Sequence, residues 1–356
     1  MTTDEKYISR CIQLAKNGLC NTPPNPMVGA VIVHQGKIIG EGYHARCGEG
    51  HAEVNAIASV KDESLLHDST LYVSLEPCSH YGKTPPCADL IIRKGIPRVV
   101  VGCIDPFSLV SGRGIRKLRD AGIEVKTGVL EQECRDLIKR FVTFNQQKRP
   151  YITLKWAQSA DGFIDTIRQE GKAVRLSSPL TSAYVHKLRA EHQAILVGRR
   201  TALLDNPSLT TREWYGKHPL RLVIDRHLSL PSSLHLFDGS TPTWVFTSVP
   251  QTGKANLTFI PLDFDKDILP QIARILYEHK IQSLLVEGGN RLLQSFLDAG
   301  LWDETYAEHV PIILGEGVQA PSIPCGFPCS FLPRDRSVIA HYVNRYDKLP
   351  DSQIKK

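Results

Sequence analysis

The sequence predicts an α/β protein with two domains, each a β-sheet layered with helices. Segments with strand and helix periodicity alternate along most of the chain, the pattern that packs helices onto the faces of a sheet. The 356 residues, 42% hydrophobic and 22% charged, are enough chain for two cores. A polar, proline-containing stretch, QKRPY at 147–151, interrupts the alternation and is the predicted linker.

The first domain, predicted over residues 1–146, begins with a helix whose apolar residues recur at helical spacing: Tyr7, Ile8, Cys11, Ile12 and Ala15. Two apolar runs then flank Gln35-Gly36 and predict a hairpin with its turn at that dipeptide. The elements expected after the hairpin are a short helix from Ala52, a strand STLYVSLEP, a helix over 88–94, a strand RVVVGCI, a helix ending at Ala121, a strand IEVKTGV and a helix over 131–145.

The second domain, predicted over residues 150–345, carries a further βα series. Its expected strands are YITLKWA, QAILVG, PLRLVID, PTWVFTS and IQSLLVEGG, and its main helices cover 182–191, 267–279 and 290–299. After Gly317 the periodicity fades, and PSIPCGFPCSF is predicted to be a loop in which Cys325 and Cys329 are structural or incidental. A polar tail is expected over 346–356.

Charge and cysteine content narrow the class of protein. Lysine and arginine total 43 against 37 acidic residues, and no run of five basic residues occurs, so we expect no nucleic-acid partner. The opening MTTDEKYISR does not resemble a secretory signal, and no apolar run approaches the ~20 residues of a membrane helix. Nine cysteines in a chain of this length indicate a reducing cytoplasm. We therefore expect a cytoplasmic protein without a membrane partner, and we also expect a homo-oligomer.

Two motifs of the first domain predict a catalytic zinc site. His51 and Glu53 open the helix expected in GHAEVNAI, and Cys78 and Cys87 lie at the two ends of EPCSHYGKTPPC. A catalytic zinc ion takes three protein ligands and keeps one position open. His51, Cys78 and Cys87 supply three ligands for a single zinc ion, and Glu53 remains free to move protons between water and substrate. This His/Cys/Cys arrangement with a free glutamate is that of zinc deaminases acting on amine-bearing rings.

The two cysteines are separated by eight residues, where the nucleic-acid deaminases have two. If Cys78 ends a strand and Cys87 begins a helix, the residues between them form a loop over the metal. That loop is polar and rich in donors: Ser79, His80, Tyr81, Lys83 and Thr84. A substrate with hydroxyl groups and a phosphate would find partners there, although a solvated surface loop explains each side chain almost as well.

Three segments, PPNPMVGAVIV, HAEVNAI and EPCSHYGKTPPC, together resemble the deaminase half of the bifunctional deaminase/reductase family of bacterial riboflavin biosynthesis. The resemblance implies a cytidine-deaminase-like α/β/α domain. It implies hydrolytic deamination of 2,5-diamino-6-(5-phosphoribosylamino)pyrimidin-4(3H)-one, with substrate contacts at Asn25, His44, His80 and Lys83. DPFSLVSGRG resembles a further family motif, except that Phe107 and Ser108 stand where the family usually has Asn-Pro.

The residues of the second domain give weaker signals by themselves. VEGG followed by a predicted helix is a turn that can hold a phosphate, and a plain βα turn explains it equally well. Four arginines could bind phosphate groups, although solvated arginines explain any single one better: Arg189, Arg199, Arg200 and Arg212.

Taken together, YITLKWAQSADG, LRAEHQAILVGRRTALLDNPSLTTR, PLRLVID and VEGGNRLL resemble the reductase half of the same family. The resemblance implies a dihydrofolate-reductase-like fold that passes hydride from NADPH to the ribosyl group, with Lys155 as a catalytic residue. Implied substrate contacts are Arg189, Leu209, Arg212 and Glu287. Implied cofactor contacts are Ala157, Arg175, Thr201, Asp205, Gly288 and Gly289.

The sequence departs from the family pattern at EGKAVRLSSP, where Ala173 and Arg175 replace the usual Ser and Trp, and at Trp156 and Phe163. We place these changes on the cofactor and substrate side and expect reductase activity to be retained. One alternative is a deaminase with a catalytically silent second domain. A second alternative is a nucleic-acid deaminase with an RNA-binding half, which the absence of a basic, aromatic-interleaved patch disfavours. A third is a structural zinc protein, which would need four protein ligands where the sequence offers three and a free Glu53.

Overall fold

The structure is a computed structural model that describes residues 1–81, 85–105, 112–168 and 173–344. The chain divides into two compact units, one over Met1–Arg149 and the other beginning at Pro150. Lys83, the Phe107-Ser108 departure and the tail predicted over 346–356 lie outside the described residues. Within the described ranges, no helix is both long enough and apolar enough to cross a bilayer.

The first unit is built on a five-stranded sheet in the order β2-β1-β3-β4-β5. β1 pairs antiparallel with β2 and β3, whereas β3, β4 and β5 are parallel. The strands are β1 Gly29–His34, β2 Lys37–Tyr43, β3 Ser69–Leu75, β4 Arg98–Cys103 and β5 Glu124–Lys126. The helices are α1 Thr3–Ala15, α2 Ala52–Ala58, α3 Cys87–Arg93, α4 Arg113–Asp120, α5 Glu131–Leu137 and α6 Lys139–Gln147.

Apolar side chains cover both faces of this sheet, so the predicted α/β/α layering is confirmed. Ala56, Ile91 and Leu118, from α2, α3 and α4, pack on one face, and α1 and α5 pack on the other through residues such as Ile8 and Cys134.

The predicted hairpin is also confirmed. Gln35 and Gly36 both have positive φ, the conformation of the two-residue turn that matches strand twist. One prediction was wrong: the single helix expected over 131–145 is two helices, because Ile138 leaves helical geometry at φ −104° and ψ 15°.

The second unit is built on a nine-stranded sheet in the order β11-β10-β9-β8-β12-β6-β13-β16-β15, with a small separate pair, β14-β7. β16 pairs antiparallel with both β13 and β15, and the remaining pairings in the large sheet are parallel. The strands are β6 Tyr151–Gln158, β7 Phe163–Asp165, β8 Ala194–Gly198, β9 Leu220–Ile224, β10 Thr243–Thr247, β11 Leu257–Pro261, β12 Ser283–Val286, β13 Glu304–His309, β14 Val318–Gln319, β15 Cys329–Arg334 and β16 Ser337–Val343. The helices are α7 Pro179–Glu191, α8 Arg199–Asp205, α9 Ile268–Glu278 and α10 Asn290–Asp298.

Alternating residues of the central strand β6 face two different cores. Ile152, Leu154 and Trp156 belong to the core that includes α9 and α10. The residues between them, Thr153 and Lys155, therefore lie on the opposite face, where α7 and α8 pack. Trp156 thus does not lie on the same face as Lys155, contrary to the expectation that this departure touches the substrate side.

The stretch after Gly317, predicted to be a loop, instead forms β14 and the β15–β16 hairpin. β15 is an edge strand whose side chains are mostly exposed, so it lacks the apolar alternation that marks a half-buried strand. Pro333 is tolerated there because an edge strand has one unpaired side. Cys329 begins β15, Cys325 lies just before it, and both are exposed free thiols.

Candidate active sites

Three secondary-structure elements bring the predicted metal ligands together. His51 is the extended residue immediately before α2, Cys78 follows the end of β3, and Cys87 is the first residue of α3. The backbone N–H of Ala88 donates to the Cys78 carbonyl at 3.1 Å and closes the loop between the two cysteines. The eight residues between Cys78 and Cys87 therefore belong to a loop whose two ends meet at the site.

The ligand atoms of the three residues lie within 4.8 Å of one another. His51 Nδ1 is 3.6 Å from Cys78 Sγ and 3.4 Å from Cys87 Sγ. Nitrogen and sulfur atoms that share a tetrahedral zinc ion are about 3.5 Å apart, given the usual Zn–N and Zn–S bond lengths. The donor set and its spacing therefore fit zinc.

The electrostatics of the site favour a thiolate. The hydrogen bond from Cys87 is the largest influence on Cys78, and it lowers the pKa of that thiol to about 4 despite burial. The hydrogen bond with Cys78 in turn raises the pKa of His51. A thiolate beside an imidazole is the form in which these residues bind metal.

Glu53 lies in the first turn of α2 and is buried beside the ligand cluster. Burial, followed by repulsion from Cys78, raises the pKa of Glu53 to about 7. A carboxyl group with that pKa can both accept and release a proton near neutral pH.

Asn25 and His44 lie in one hydrogen-bonded chain beside His51. The side-chain amide of Asn25 donates to His44 Nε2 at 3.1 Å, and His44 Nδ1 donates to the Gly50 carbonyl at 3.1 Å. Burial lowers the pKa of His44, consistent with this neutral form. The His44 and His51 rings meet edge to face, 5.3 Å apart. His80, by contrast, is exposed on the loop.

The sequence analysis missed Glu76. Its carboxylate is buried and accepts four backbone N–H groups, from Asp105, Gly112, Gly114 and Ile115, at 2.9–3.3 Å. Glu76 thereby ties the start of α4 to the segment that carries Cys78. A glutamate directly before the Pro-Cys pair was the available signal, but its partners are up to 39 residues away.

In the second unit, Lys155 lies on β6 between two strands. It is in register with Tyr306 of β13 on one side, and Glu287 directly follows β12 on the other. Burial lowers the pKa of Lys155, Glu287 and Glu308 oppose that effect, and Arg189 reinforces it. The lysine is thus a half-buried cation whose charge depends on the carboxylates near it.

Arg189 and Glu287, both predicted to face substrate, form an ion pair with each other. Two bonds of 2.9 and 2.6 Å join the guanidinium to the carboxylate. Arg212 is held nearby: its backbone N–H donates to His186 Nδ1 at 3.0 Å, and its guanidinium donates to Thr210 Oγ1 at 3.0 Å. Arg189 also donates to the Thr210 carbonyl, so the two arginines share one loop.

The Gly288-Gly289 turn lies against Thr201 at the start of α8. A Cβ atom at Gly288 would come within 3.1 Å of the Thr201 methyl group, and Gly289 has φ +72°, so both positions suit glycine. Asp205, at the end of α8, pairs with Arg168. Burial raises the pKa of Asp205 although Arg168 opposes it.

Other residues with implied roles are dispersed. Leu209 is buried in the core under α7, with only 2% of its surface exposed. Arg175 is exposed, and Ala157 is half-buried on the same face of β6 as Lys155. No hydrogen bond within the described ranges joins these three residues to Lys155.

Family models match both parts of the chain. Residues 1–103 match the cytidine and deoxycytidylate deaminase zinc-binding region, and residues 150–327 match the RibD C-terminal domain. The riboflavin biosynthesis protein RibD of Bacillus amyloliquefaciens is 43% identical over 91% of this chain and 88% of its own length.

The chain belongs to the RibD family. The RibD protein of Escherichia coli is 37% identical over 88% of this chain and 89% of its own length. A solved RibD-type structure from Thermotoga maritima, described as a diaminohydroxyphosphoribosylaminopyrimidine deaminase/5-amino-6-(5-phosphoribosylamino)uracil reductase, is 38% identical. It covers 96% of this chain and 98% of its own, with a TM-score of 0.88.

RibD membership confirms the fold class predicted from sequence, a cytidine-deaminase-like domain followed by a dihydrofolate-reductase-like domain. The chain is a bifunctional enzyme with a zinc-binding deaminase domain and an NADPH-dependent reductase domain. The alternative of a silent second domain is not favoured, because the match to RibD proteins runs through both domains.

Proposed function

We propose that this enzyme deaminates 2,5-diamino-6-(5-phosphoribosylamino)pyrimidin-4(3H)-one and then reduces the ribosyl group of the product to ribityl. The observation that carries the proposal is the His51, Cys78 and Cys87 cluster at zinc-ligand spacing, with Glu53 buried beside it. We assign the deaminase to residues 1–146 and the reductase to residues 150–345. Both boundaries lie close to the division between the two compact units after Arg149.

In the deaminase, His51 and the two cysteines would hold the metal, which would supply a Lewis acid that activates water at neutral pH. Glu53 takes one proton from the attacking water and passes it to the adjacent ring nitrogen, and it then moves the proton of the new hydroxyl group to the leaving amine. The carbon–nitrogen bond breaks, ammonia leaves, and the oxygen of the water remains as the ring carbonyl. Burial of Glu53 beside the cluster favours its protonated form, which suits a group that must both accept and release a proton.

Substrate binding in the deaminase falls to the residues around this cluster. The Asn25–His44 chain lies beside His51 and presents a polar edge that suits a pyrimidinone ring. We assign His80, which is exposed on the loop between the cysteines, to the sugar phosphate. A positively charged or donor-rich loop suits an anionic substrate.

In the reductase, NADPH would supply the hydride that C1′ of the ribosyl group receives. Lys155 protonates O4′ as the C1′–O4′ bond breaks, so one hydride and one proton convert the ring to an open ribityl chain. We assign cofactor binding to the Gly288-Gly289 turn and Thr201, which lie against each other, and to Asp205. On the family resemblance, we also assign Ala157 and Arg175 to the cofactor. Arg189, Arg212 and Glu287, with the loop at Leu209, would hold the phosphorylated substrate.

We also propose that the enzyme is a cytoplasmic homo-oligomer. Phe331 of the edge strand β15 and Ile313 are large apolar side chains with 67% and 77% of their surface exposed, which suits contact with a second copy. Multi-angle light scattering on the wild type and on the Phe331→Glu variant tests this. A monomeric wild type would contradict it.

The experiment that tests the two-step function follows ammonia and NADPH absorbance together, with zinc-loaded protein and the diaminopyrimidinone substrate. We expect ammonia first and NADPH consumption after a lag. The lag should disappear when 5-amino-6-(5-phosphoribosylamino)uracil is supplied directly. Ammonia release without NADPH consumption from either compound would contradict the proposed reductase.

A further inference from the structure

Glu308 is a buried carboxylate in the second unit that neither the sequence motifs nor the reaction scheme uses. It lies near the end of β13 and has 1% of its surface exposed. Two serine hydroxyls donate to it, Ser177 at 2.6 Å and Ser337 at 3.0 Å. An ionised carboxylate can accept hydrogen bonds but cannot donate them, and each oxygen of Glu308 accepts one from a serine.

The two serines place Glu308 at a junction of three elements. Ser177 directly precedes Ser178, which caps α7 by accepting the backbone N–H of Thr181. Ser337 is the first residue of β16. Glu308 therefore links the start of α7, the helix that carries Arg189, to the sheet.

Glu308 is also a near neighbour of Lys155. β13 pairs in parallel with β6, where Tyr306 is opposite Lys155 and Glu308 is opposite Ala157. Side chains two residues apart along a strand share a face, so Glu308 and Glu304 are the two diagonal neighbours of Lys155 on β13. Glu304 accepts from Thr153 and pairs with His341. Glu287 approaches the lysine from the other side, at the end of β12. Lys155 thus has carboxylates on both neighbouring strands.

The groups that face Lys155 come from three elements. Glu287 follows β12, Arg189 lies on α7, and the three β13 residues on this face are Glu304, Tyr306 and Glu308. The ring of Tyr184 on α7 contacts the Tyr306 ring. Among these, Glu287 is engaged by Arg189 through two hydrogen bonds. Among the described residues, the donors to Glu308 are two neutral hydroxyls, so its charge is less compensated by its own hydrogen-bond partners.

We propose that Glu308 is a positioning residue of the reductase site: its carboxylate anchors the start of α7 through Ser177 and keeps the neighbouring Lys155 ammonium protonated for proton transfer to the substrate. Burial lowers the pKa of Lys155, and the negative charge of Glu308 counteracts that effect. The effect of Glu308 on the reductase rate rests on the proposed role of Lys155 as the proton donor. The effect of Glu308 on the protonation of Lys155 does not.

The Glu308→Gln variant tests the coupling, because the amide keeps the shape and can still bond both serines, whose hydroxyls donate or accept. Competitive labelling of Lys155 with acetic anhydride across a pH series, read by peptide mass spectrometry, reports its protonation without cofactor or substrate. We expect the labelling midpoint to move to lower pH in Glu308→Gln. An unchanged midpoint would overturn the inference.

Asp225→Asn is the matched control. Asp225 is an equally buried carboxylate of the same unit that directly follows β9, and it accepts from the Ser229 hydroxyl and the Leu230 N–H. Two strands, β8 and β12, separate β9 from β6, so Asp225 is remote from Lys155. The labelling midpoint of Lys155 in Asp225→Asn should stay at the wild-type value. A midpoint that moved as far as that of Glu308→Gln would overturn the specific role of Glu308.

Kinetics then separate the inference from the proposed role of Lys155. With the deaminated substrate, we expect the alkaline limb of reductase kcat in Glu308→Gln to move to lower pH, with a several-fold loss of rate on that limb. Ser177→Ala keeps the charge, so it should raise KM without moving the limb. If Lys155→Met retained full reductase activity, the proton-donor role would fail while a labelling shift still stood. Should Glu308→Gln not fold, Glu308→Asp keeps the charge and should label like the wild type.

Discussion

The carboxylate of Glu76 and the backbone of Gly114 are in direct contact, with the Gly114 N–H donating to Oε1 at 2.9 Å. The approach is so close that a Cβ atom on Gly114 would lie 2.0 Å from the Pro77 carbonyl oxygen. Since Cys78 follows Pro77 and Gly114 lies in the first turn of α4, the contact ties one zinc ligand to that helix. The structure of the metal site therefore depends on a glutamate that does not bind the metal.

Glu76→Ala should destabilise the first unit by about 3 kcal/mol or more, because it leaves four backbone N–H groups, two of them buried, without this acceptor. Far-UV circular dichroism during thermal unfolding measures the effect. All four tryptophans, at 156, 214, 244 and 302, lie in the second unit, so tryptophan fluorescence reports that unit separately. The fluorescence transition should stay in place.

Glu133→Ala is the control for this experiment, since Glu133 is an exposed residue of α5 in the same unit. It should change the free energy of unfolding by less than about 0.5 kcal/mol. Gly114→Ala should reproduce the loss seen with Glu76→Ala, because its new methyl group meets backbone that must move. A Glu76→Ala protein as stable as the control would contradict the anchoring role.

Glu53→Gln should keep zinc but lower the rate of ammonia release by about 10²–10⁴-fold, the usual contribution of a general acid–base group. The amide preserves size and burial but cannot carry the proton. Zinc content and ammonia release are measured on the same preparation, and reduction of the deaminated substrate serves as the internal control. Ammonia release at the wild-type rate by zinc-loaded Glu53→Gln would rule out the assigned role.

Most of the fold was predictable from periodicity, and the strand β13 shows why part of it was not. The β1–β2 hairpin was predicted because its turn and its apolar runs are adjacent in sequence. β13 was missed because Glu304 and Glu308 point inward from a strand that looks polar. Their partners, Thr153 and Ser177, are 151 and 131 residues away. Only tertiary contacts turn such residues into buried ones.

The same contrast applies to the sites. His51, Glu53, Cys78 and Cys87 were predictable because metal binding requires specific residue types in a short pattern. Nothing comparable marks Glu308, which is used for its charge and its position in the sheet. The sequence could not predict that Arg189 pairs with Glu287. The family resemblance implied only that each residue contacts substrate.

Cys78→Ser should abolish stoichiometric zinc binding and deaminase activity while reduction of the deaminated substrate continues. A hydroxyl group replaces the thiolate, which is the better zinc ligand. Zinc is measured by inductively coupled plasma mass spectrometry after dialysis against a chelator. Cys47→Ser, at an exposed free thiol of the same unit, should retain both metal and activity. Equal zinc in the two variants would contradict the assignment of Cys78 as a ligand.

Arg189→Met should destabilise the second unit by about 3–5 kcal/mol at pH 7, because it leaves the buried Glu287 carboxylate without its main counterion. Denaturant unfolding followed by tryptophan fluorescence measures this in the unit that holds every tryptophan. The double variant Arg189→Met/Glu287→Gln should recover part of the loss, since no unpaired charge then remains. A double variant less stable than Arg189→Met would show that Glu287 is stabilised by other means.

The pH dependence of this loss provides the sharper test. Burial raises the pKa of Glu287, but Arg189 outweighs that effect and the net pKa lies below the ordinary 4.5. The carboxylate therefore stabilises the wild type above pH 4.5, and this contribution is lost as the pH falls through its lowered pKa. In Arg189→Met, burial prevails, so acidification relieves the unpaired charge instead. The stability difference between the two proteins should be largest near neutral pH and narrow toward pH 4, and a difference that stayed constant would contradict a buried ion pair.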